Sequence, residues 1–190
     1  KMSSQQVFML DITLRDGQQS PGAGMSFEDN LNYAQIAHNL RVDILEAGFP
    51  SASNTDFEIV NQISKNMAAI NSPMKISALC QLREDQVYRT MEALAPSLAI
   101  NRARIHIYVP VDPELMTASL GKLADDKPTI IATVYKLIKL AKSAGFEVQF
   151  SAEGYSRQRE NFDFVTDLIR HAIDAGATVI NCPDTIGGAS

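Results

Sequence analysis

Arginine and aspartate stand side by side at Arg15-Asp16, directly after the apolar, β-prone run from Val7 to Ile12, and glycines follow at Gly17, Gly22 and Gly24. A carboxylate at a strand end is a natural ligand for a hard divalent cation. A guanidinium beside it can bind a substrate carboxylate or stabilise an oxygen on which negative charge develops. The blander reading of the same two residues is an ion pair at the base of a loop. Comparable groups recur at the ends of later apolar runs: Glu46, His106, Ser151 and Glu153, and the segment Asn181-Cys182-Pro183-Asp184-Thr185. Glu46, between Leu45 and Ala47, reads as a buried tie to a neighbouring basic group. Glu153 reads as a holder of a bound water or of a substrate hydrogen bond, or as a solvated loop acid. His106 is either a donor to a substrate oxygen or a hydrogen-bonded core residue. His38 and His171 fall in helical segments and are expected to face solvent, whereas Met25, Met67, Met91 and Met116 read as core filling.

The elements that must position these groups alternate with a regular beat. Strands are expected over Val7–Ile12, Val42–Ala47, Lys75–Cys80, Arg104–Val109, Glu147–Ser151 and Thr178–Asn181. Helical spacing of apolar residues follows each of the first five: behind a cap at Ser26 with Asp29 three residues on, from Asn54 to Met67, from Glu84 to Leu94, from about Thr129 to Ala144, and from Phe162 to Ala175. A long polar loop is expected between Val109 and Thr129. Gly145 and Gly176 stand where helices should end. Strands that alternate with helices imply βα units and a parallel sheet. Both a doubly wound sheet and a (β/α) barrel fit that beat. The first turn lacks the G-x-G-x-x-G of a dinucleotide site, and its aspartate would repel a pyrophosphate.

Bulk properties narrow the function classes. The 190 residues carry a net charge of -5 with 45% hydrophobic and 21% charged residues. That argues against a nucleic-acid partner, and the absence of a basic run argues against an anionic membrane surface. The polar start, Lys1 to Gln6, and the short apolar run behind it fit neither a signal peptide nor a membrane helix, so a cytoplasmic location is the default. Cys80 and Cys182 both sit in apolar runs and read as buried free thiols.

The run Asp11-Ile12-Thr13-Leu14-Arg15-Asp16-Gly17-Gln18-Gln19-Ser20-Pro21-Gly22-Ala23 resembles the signature of the Claisen-type metal-dependent synthases and lyases. That superfamily includes the 2-isopropylmalate, homocitrate and citramalate synthases and hydroxymethylglutaryl-CoA lyase. Val42 to Ser53 looks like the second-strand motif of 2-isopropylmalate synthases. Ile76 to Gln81, Phe150 to Glu153 and Asn181 to Gly187 are similar to later strand-end motifs. The resemblance covers essentially the whole chain. It implies a TIM (β/α)8 barrel, truncated here after about six βα units, with residues 1–190 a partial catalytic domain. The last two strands and any C-terminal regulatory domain would lie outside it.

The resemblance also implies an acyltransferase that condenses acetyl-CoA with a 2-oxo acid, using a divalent cation (magnesium, manganese or zinc), in a cytoplasmic homodimer. Arg15 and Glu153 would be catalytic and Asp16 a metal ligand. Gln19, Leu79, His106, Ser151, Pro183 and Thr185 would line the oxo-acid pocket. The expected product is 2-isopropylmalate. Citramalate or homocitrate synthesis, a lyase of the hydroxymethylglutaryl-CoA type, and an inactive barrel with a binding role are the alternatives. Four departures surround the pocket: Gln18 where an acid is usual, Tyr108 to Glu114 in place of a serine- and histidine-containing loop, Gly154-Tyr155 after Glu153, and Gly188 where a tyrosine is common. The His-x-His that the family carries on its seventh strand does not occur in these 190 residues. The chain by itself is therefore expected to be inactive and to bind a divalent cation weakly. Metal titration calorimetry on it should give weak, substoichiometric heats, and tight one-to-one binding would contradict this expectation.

Overall fold

In a computed structural model the chain is described at residues 6–19, 24–185 and 187, without the side chains of Gln19 and Arg159. Six parallel strands follow one another in sheet order β1-β2-β3-β4-β5-β6: β1 (Leu10–Asp11), β2 (Ile44–Glu46), β3 (Lys75–Gln81), β4 (Ala103–Pro110), β5 (Glu147–Glu153) and β6 (Val179–Asn181). The helices between them are α1 (Phe27–Asn39), α2 (Asn54–Ala69), α3 (Glu84–Ala99), α4 (Pro113–Leu120), α5 (Lys127–Ser143) and α6 (Phe162–Ala175). A doubly wound sheet reverses its order at a switch point, and no reversal occurs here. The sequential order is that of a partial (β/α) barrel.

The chain divides into two compact units. The first holds residues 1–78 and 92–103. Parallel pairing sets Leu10 beside Ile44 and Asp11 beside Leu45, then Ile44, Leu45 and Glu46 beside Lys75, Ile76 and Ser77. The first strand is shorter than the apolar run from Val7 to Ile12. Val7, Phe8 and Met9 are 89%, 59% and 66% exposed, and only Leu10 and Asp11 find a strand beside them. Ser26 caps α1 through a reciprocal capping box with Asp29, as its spacing implies, and Ser53 caps α2 by accepting from the Asp56 N–H.

Helix α3 runs past its expected end, through Pro96. Proline removes one helical bond and crowds the preceding turn. The neighbouring Ala93 carbonyl and Ser97 N–H, which would pair in a straight helix, are both met from α2. Asn61 Nδ2 donates to the carbonyl at 3.2 Å, and Ser64 Oγ accepts from the N–H at 2.9 Å.

The second unit holds residues 79–91 and 104–190. Its core is made by Ile105, Ile107, Val109, Val148 and Phe150 of the strands with Val134, Leu137, Ile138, Val165 and Leu168 of α5 and α6, all essentially sealed from solvent. The stretch expected as a polar loop after β4 is mostly helical: Asp112 caps α4, Pro113 occupies its first position, and a 3-10 turn over Gly121–Asp125 leads into α5. Proline tolerates the first helical turn, so Asp-Pro here starts a helix instead of prolonging a loop.

Five helices end in one way. After α1, α2, α3, α5 and α6 the next residues donate back to the last turn, as in Val42 N–H to the Ala37 carbonyl and Arg41 N–H to that of His38. The closure needs a left-handed residue. Gly145 and Gly176 supply it at φ of 96° and 115°, whereas the first unit uses Arg41, Asn71 and Asn101 at 60°, 47° and 57°. Asparagine tolerates that region and arginine does not, at a cost of about 1–2 kcal/mol. Arg41→Gly is expected to raise stability by about 0.5–1 kcal/mol, the strain removed exceeding the extra chain entropy. Chemical denaturation of the two proteins checks it, and an unchanged or lower midpoint would contradict it.

Candidate active site

The strand-end groups form two sets, one in each unit. In the first unit the chain turns as soon as β1 ends, the Ile12 carbonyl accepting the N–H groups of Arg15 at 3.1 Å and Asp16 at 2.8 Å. Buried Leu14 anchors the turn. The Gln18 amide nitrogen then donates to the Leu14 carbonyl at 2.8 Å and to Asn30 Oδ1 at 2.6 Å, tying the loop to α1. A carboxylate at position 18 could donate neither bond, which accounts for glutamine where the resemblance leads one to expect an acid. The Asp11 carboxylate accepts from the Thr13 N–H at 2.8 Å and the Tyr33 hydroxyl at 2.7 Å. Burial pushes the Asp11 carboxyl up, but these bonds outweigh it and hold it below the ordinary carboxylate value.

Arg15 donates through Nε to Glu46 and through Nη1 to Asp16 Oδ1, at 2.9 Å in the second case. The Glu46 side chain is wholly buried, Arg15 is 19% exposed and Asp16 is 55% exposed. Guanidinium has five N–H groups, so two carboxylates orient the fork without exhausting it. The ion-pair reading of Arg15-Asp16 is therefore present, and so is the expected basic partner of Glu46. Among the described residues no three His, Cys, Asp or Glu side chains gather closely enough to hold a metal ion. Asp16 offers one oxygen ligand there and does not by itself make a site.

The second unit shows a pattern that motif reading passed over. On β4 and β5 polar and apolar residues alternate: Arg104, His106 and Tyr108 between Ile105, Ile107 and Val109, and Glu147, Gln149, Ser151 and Glu153 between Val148, Phe150 and Ala152. Parallel register sets Arg104 beside Glu147, His106 beside Gln149, Tyr108 beside Ser151, and Ser151 beside Asn181. One sheet face thus packs on helices while the other carries a ladder of polar side chains. Arg104 grips Glu147 through two bonds of 3.2 Å and reaches Gln149 Oε1 at 3.3 Å. Ser151 Oγ lies 2.6 Å from His106 Nε2, and Asn181 Nδ2 lies 3.0 Å from Ser151 Oγ.

The structure thus brings His106 and Ser151 together and adds Arg104, Gln149 and Asn181. Period-two alternation along β4 and β5 was the available signal for Arg104 and Gln149, whereas Asn181 already stands in the segment that ends the sixth apolar run.

The loops after β4, β5 and β6 are stitched to one another. Thr185 Oγ1 accepts from the Gly154 N–H at 2.9 Å, the Pro183 carbonyl accepts from the Tyr155 N–H at 3.1 Å, and Ser156 donates to Asp184. Arg157 approaches Asp112 and Glu114 at 3.5 Å each. Gly154 sits at φ 73°, and a Cβ there would come within 2.9 Å of the Asp112 Cβ. This close packing requires the glycine that departs from the resembled motif. Glu153 ends β5 half-buried, its carbonyl accepting the Val111 N–H at 2.8 Å. Leu79 is buried on β3. The side chain of Gln19 lies outside the described residues.

The two thiols differ. Cys80 is buried, and burial pushes it up to about 12, whereas Cys182 is exposed, contrary to expectation, because β6 ends at Asn181 and nothing described covers the next side chain. Of the helical histidines, His171 is exposed, while His38 is half-buried with Nδ1 at 2.8 Å from Ser72 Oγ. Met67 and Met116 are core, but Met25 and Met91 are only half-buried. An open cleft of about 430 Å³ lies at the entry to β2, lined by His38, Arg41, Asp43 and Met74 among others. Among the described residues no helix is long and apolar enough to cross a membrane.

The HMGL-like family profile matches residues 6–190. The chain belongs to the HMGL-like family. Within it, the chain is 40% identical over 184 residues to a 2-isopropylmalate synthase of Solidesulfovibrio magneticus, a match covering 96% of the chain and 33% of the relative. It is 37% identical over 189 residues to one of Rhodopseudomonas palustris, covering 100% and 34%. The chain therefore spans about a third of the length of these curated relatives. Among solved structures, deoxyribose phosphate aldolase from Aeropyrum pernix shares the fold at a TM-score of 0.55 and 15% identity, over 94% of this chain and 63% of that one. A 2,3-dimethylmalate lyase does so at 0.51 and 13%, over 92% and 56%.

In this HMGL-like chain Arg15 is an ion-pair partner of the buried Glu46 carboxylate. Arg15→Ala is expected to destabilise the chain by about 3 kcal/mol, because a buried carboxylate loses a counter-charge. Glu46→Gln in that background should recover a large part of the loss. Denaturant midpoints of wild type and both variants measure this, and a double variant no more stable than Arg15→Ala would show that the charge is not the cause.

Proposed function

We propose that the protein carrying this chain condenses acetyl-CoA with 3-methyl-2-oxobutanoate to give 2-isopropylmalate, acting in the cytoplasm as a homodimer. The observation that carries the reading is Arg15, a guanidinium aimed by one buried and one exposed carboxylate at a strand end, in a chain whose relatives are named for that product. A methyl proton leaves the acetyl group, and the carbanion attacks the keto carbon. The keto oxygen becomes an alkoxide and takes up a proton, and water then cleaves the thioester to release the CoA thiol. Arg15 is the donor to that oxygen as its charge grows, a contribution of about 100-fold in rate for a well-placed group.

Asp16 is the ligand this chain offers to a divalent cation (magnesium, manganese or zinc), which when bound supplies Lewis-acid polarisation. Glu153, at the end of β5, is the catalytic carboxylate that holds a bound water or a substrate hydrogen bond. Gln19, Leu79, His106, Ser151, Pro183 and Thr185 line the oxo acid, and Leu79 sets the side-chain size admitted. One methylene more or less is worth about 1–3 kcal/mol there. Thiol release from acetyl-CoA, followed across a panel of 2-oxo acids, tests this reading. Release should require an oxo acid, be fastest with 3-methyl-2-oxobutanoate, and fall about 100-fold in Arg15→Lys, whose point charge cannot reproduce the fork. A preference for pyruvate would reassign the substrate, and release indifferent to the oxo acid would end the acyl-transfer reading.

A further inference from the structure

The hydrogen bonds of the polar ladder have a direction that their chemistry dictates. Arg104 Nη1 lies 3.3 Å from one amide atom of Gln149. Arginine carries donors only, so that atom is the oxygen. The other amide atom of Gln149, 3.4 Å from His106 Nε2, is therefore the nitrogen and brings hydrogens. Two facing donors would repel, so Nε2 holds a lone pair and the proton of the neutral ring is on Nδ1. The Ser151 hydroxyl, 2.6 Å from the same Nε2, must then donate to it, and Ser151 Oγ in turn accepts from Asn181 Nδ2 at 3.0 Å. The chain starts from a fixed point, because Glu147 holds Arg104 through two bonds of 3.2 Å each. Arg104, His106, Gln149 and Ser151 are 6%, 4%, 2% and 3% exposed, so water is poorly placed to substitute for a lost partner.

We infer that Arg104 and Gln149 are positioning residues: they hold His106 in its Nδ1–H tautomer and commit the Ser151 hydroxyl to donate to His106 instead of to a ligand. The inference goes beyond the proposed condensation and does not depend on it. Any ligand on this face meets Ser151 as an acceptor, whatever its own chemistry.

Long-range 1H–15N correlation spectra of the full chain at alkaline pH read the tautomer directly. There are three histidines, His38, His106 and His171, and His38→Gln and His171→Gln assign the third ring. The wild-type spectrum should show His106 protonated at Nδ1. Gln149→Glu, which turns an acceptor oxygen toward Nε2, should move the proton to Nε2. Gln149→Leu, which keeps bulk and loses both polar contacts, should give a mixture of the two forms, a change that packing alone would not produce. A wild-type ring protonated at Nε2, or one unmoved by Gln149→Glu, would overturn the inference. Should either variant fail to fold, the wild-type spectrum alone decides. These spectra require no turnover, so the failure of this inference and the failure of the proposed reaction are separately visible.

Discussion

Lateral register between parallel strands is the constraint on which the rest depends. Parallel strands carry evenly spaced bonds, so every second side chain of one strand stands beside every second side chain of the next. On β4 and β5 that rule sends Ile105, Ile107, Val148 and Phe150 to the helices and places Arg104, His106, Glu147, Gln149 and Ser151 together on the other face. A slip of one residue would exchange the two sets, turning the polar side chains toward the helices without their ladder partners. The apolar face therefore pins the register, and the polar ladder inherits its alignment from packing that has nothing to do with chemistry.

The first unit solves the same problem with charge. Glu46 belongs to a strand whose three residues are all buried, and its carboxylate is removed from water entirely. Such a group persists only where a counter-charge reaches it. Arg15 does so from the turn after β1, whose geometry is held by the Ile12 carbonyl and by the two bonds of Gln18. The guanidinium is thus oriented by a structural need before any substrate is considered. Functional and structural readings of Arg15, which compete when only the sequence is at hand, describe one side chain seen from its two ends.

Where the chain departs from the motifs it resembles, the structure supplies local reasons. Gln18 donates twice where an acid could only accept. Gly154 adopts a left-handed turn against Asp112, a residue that is itself part of the altered loop after β4. The two departures at positions 112 and 154 are in contact, so they belong to one packing change.

Much of this was legible in the residues alone. The alternation of strands and helices, the cap at Ser26, the start of α2 at Asn54, the glycine closures at 145 and 176, and the strand-end positions of Arg15, Glu46 and Glu153 follow from local propensity and spacing, which act over a few residues. Other features were not legible. Left-handed closures at Arg41, Asn71 and Asn101 carry no glycine to announce them, α3 passes through a proline because α2 satisfies the groups it disturbs, and α4 arises where polarity suggested a loop. The ladder of Arg104, Gln149 and Asn181 joined His106 and Ser151 only through strand pairing. The sequence by itself determined most of the strand and helix segments and which chemical groups end them. Only the tertiary structure decided which of those groups face one another and which way their protons point, because a hydrogen bond between residues some 45 positions apart depends on register, and register is a property of packed faces and not of any one segment.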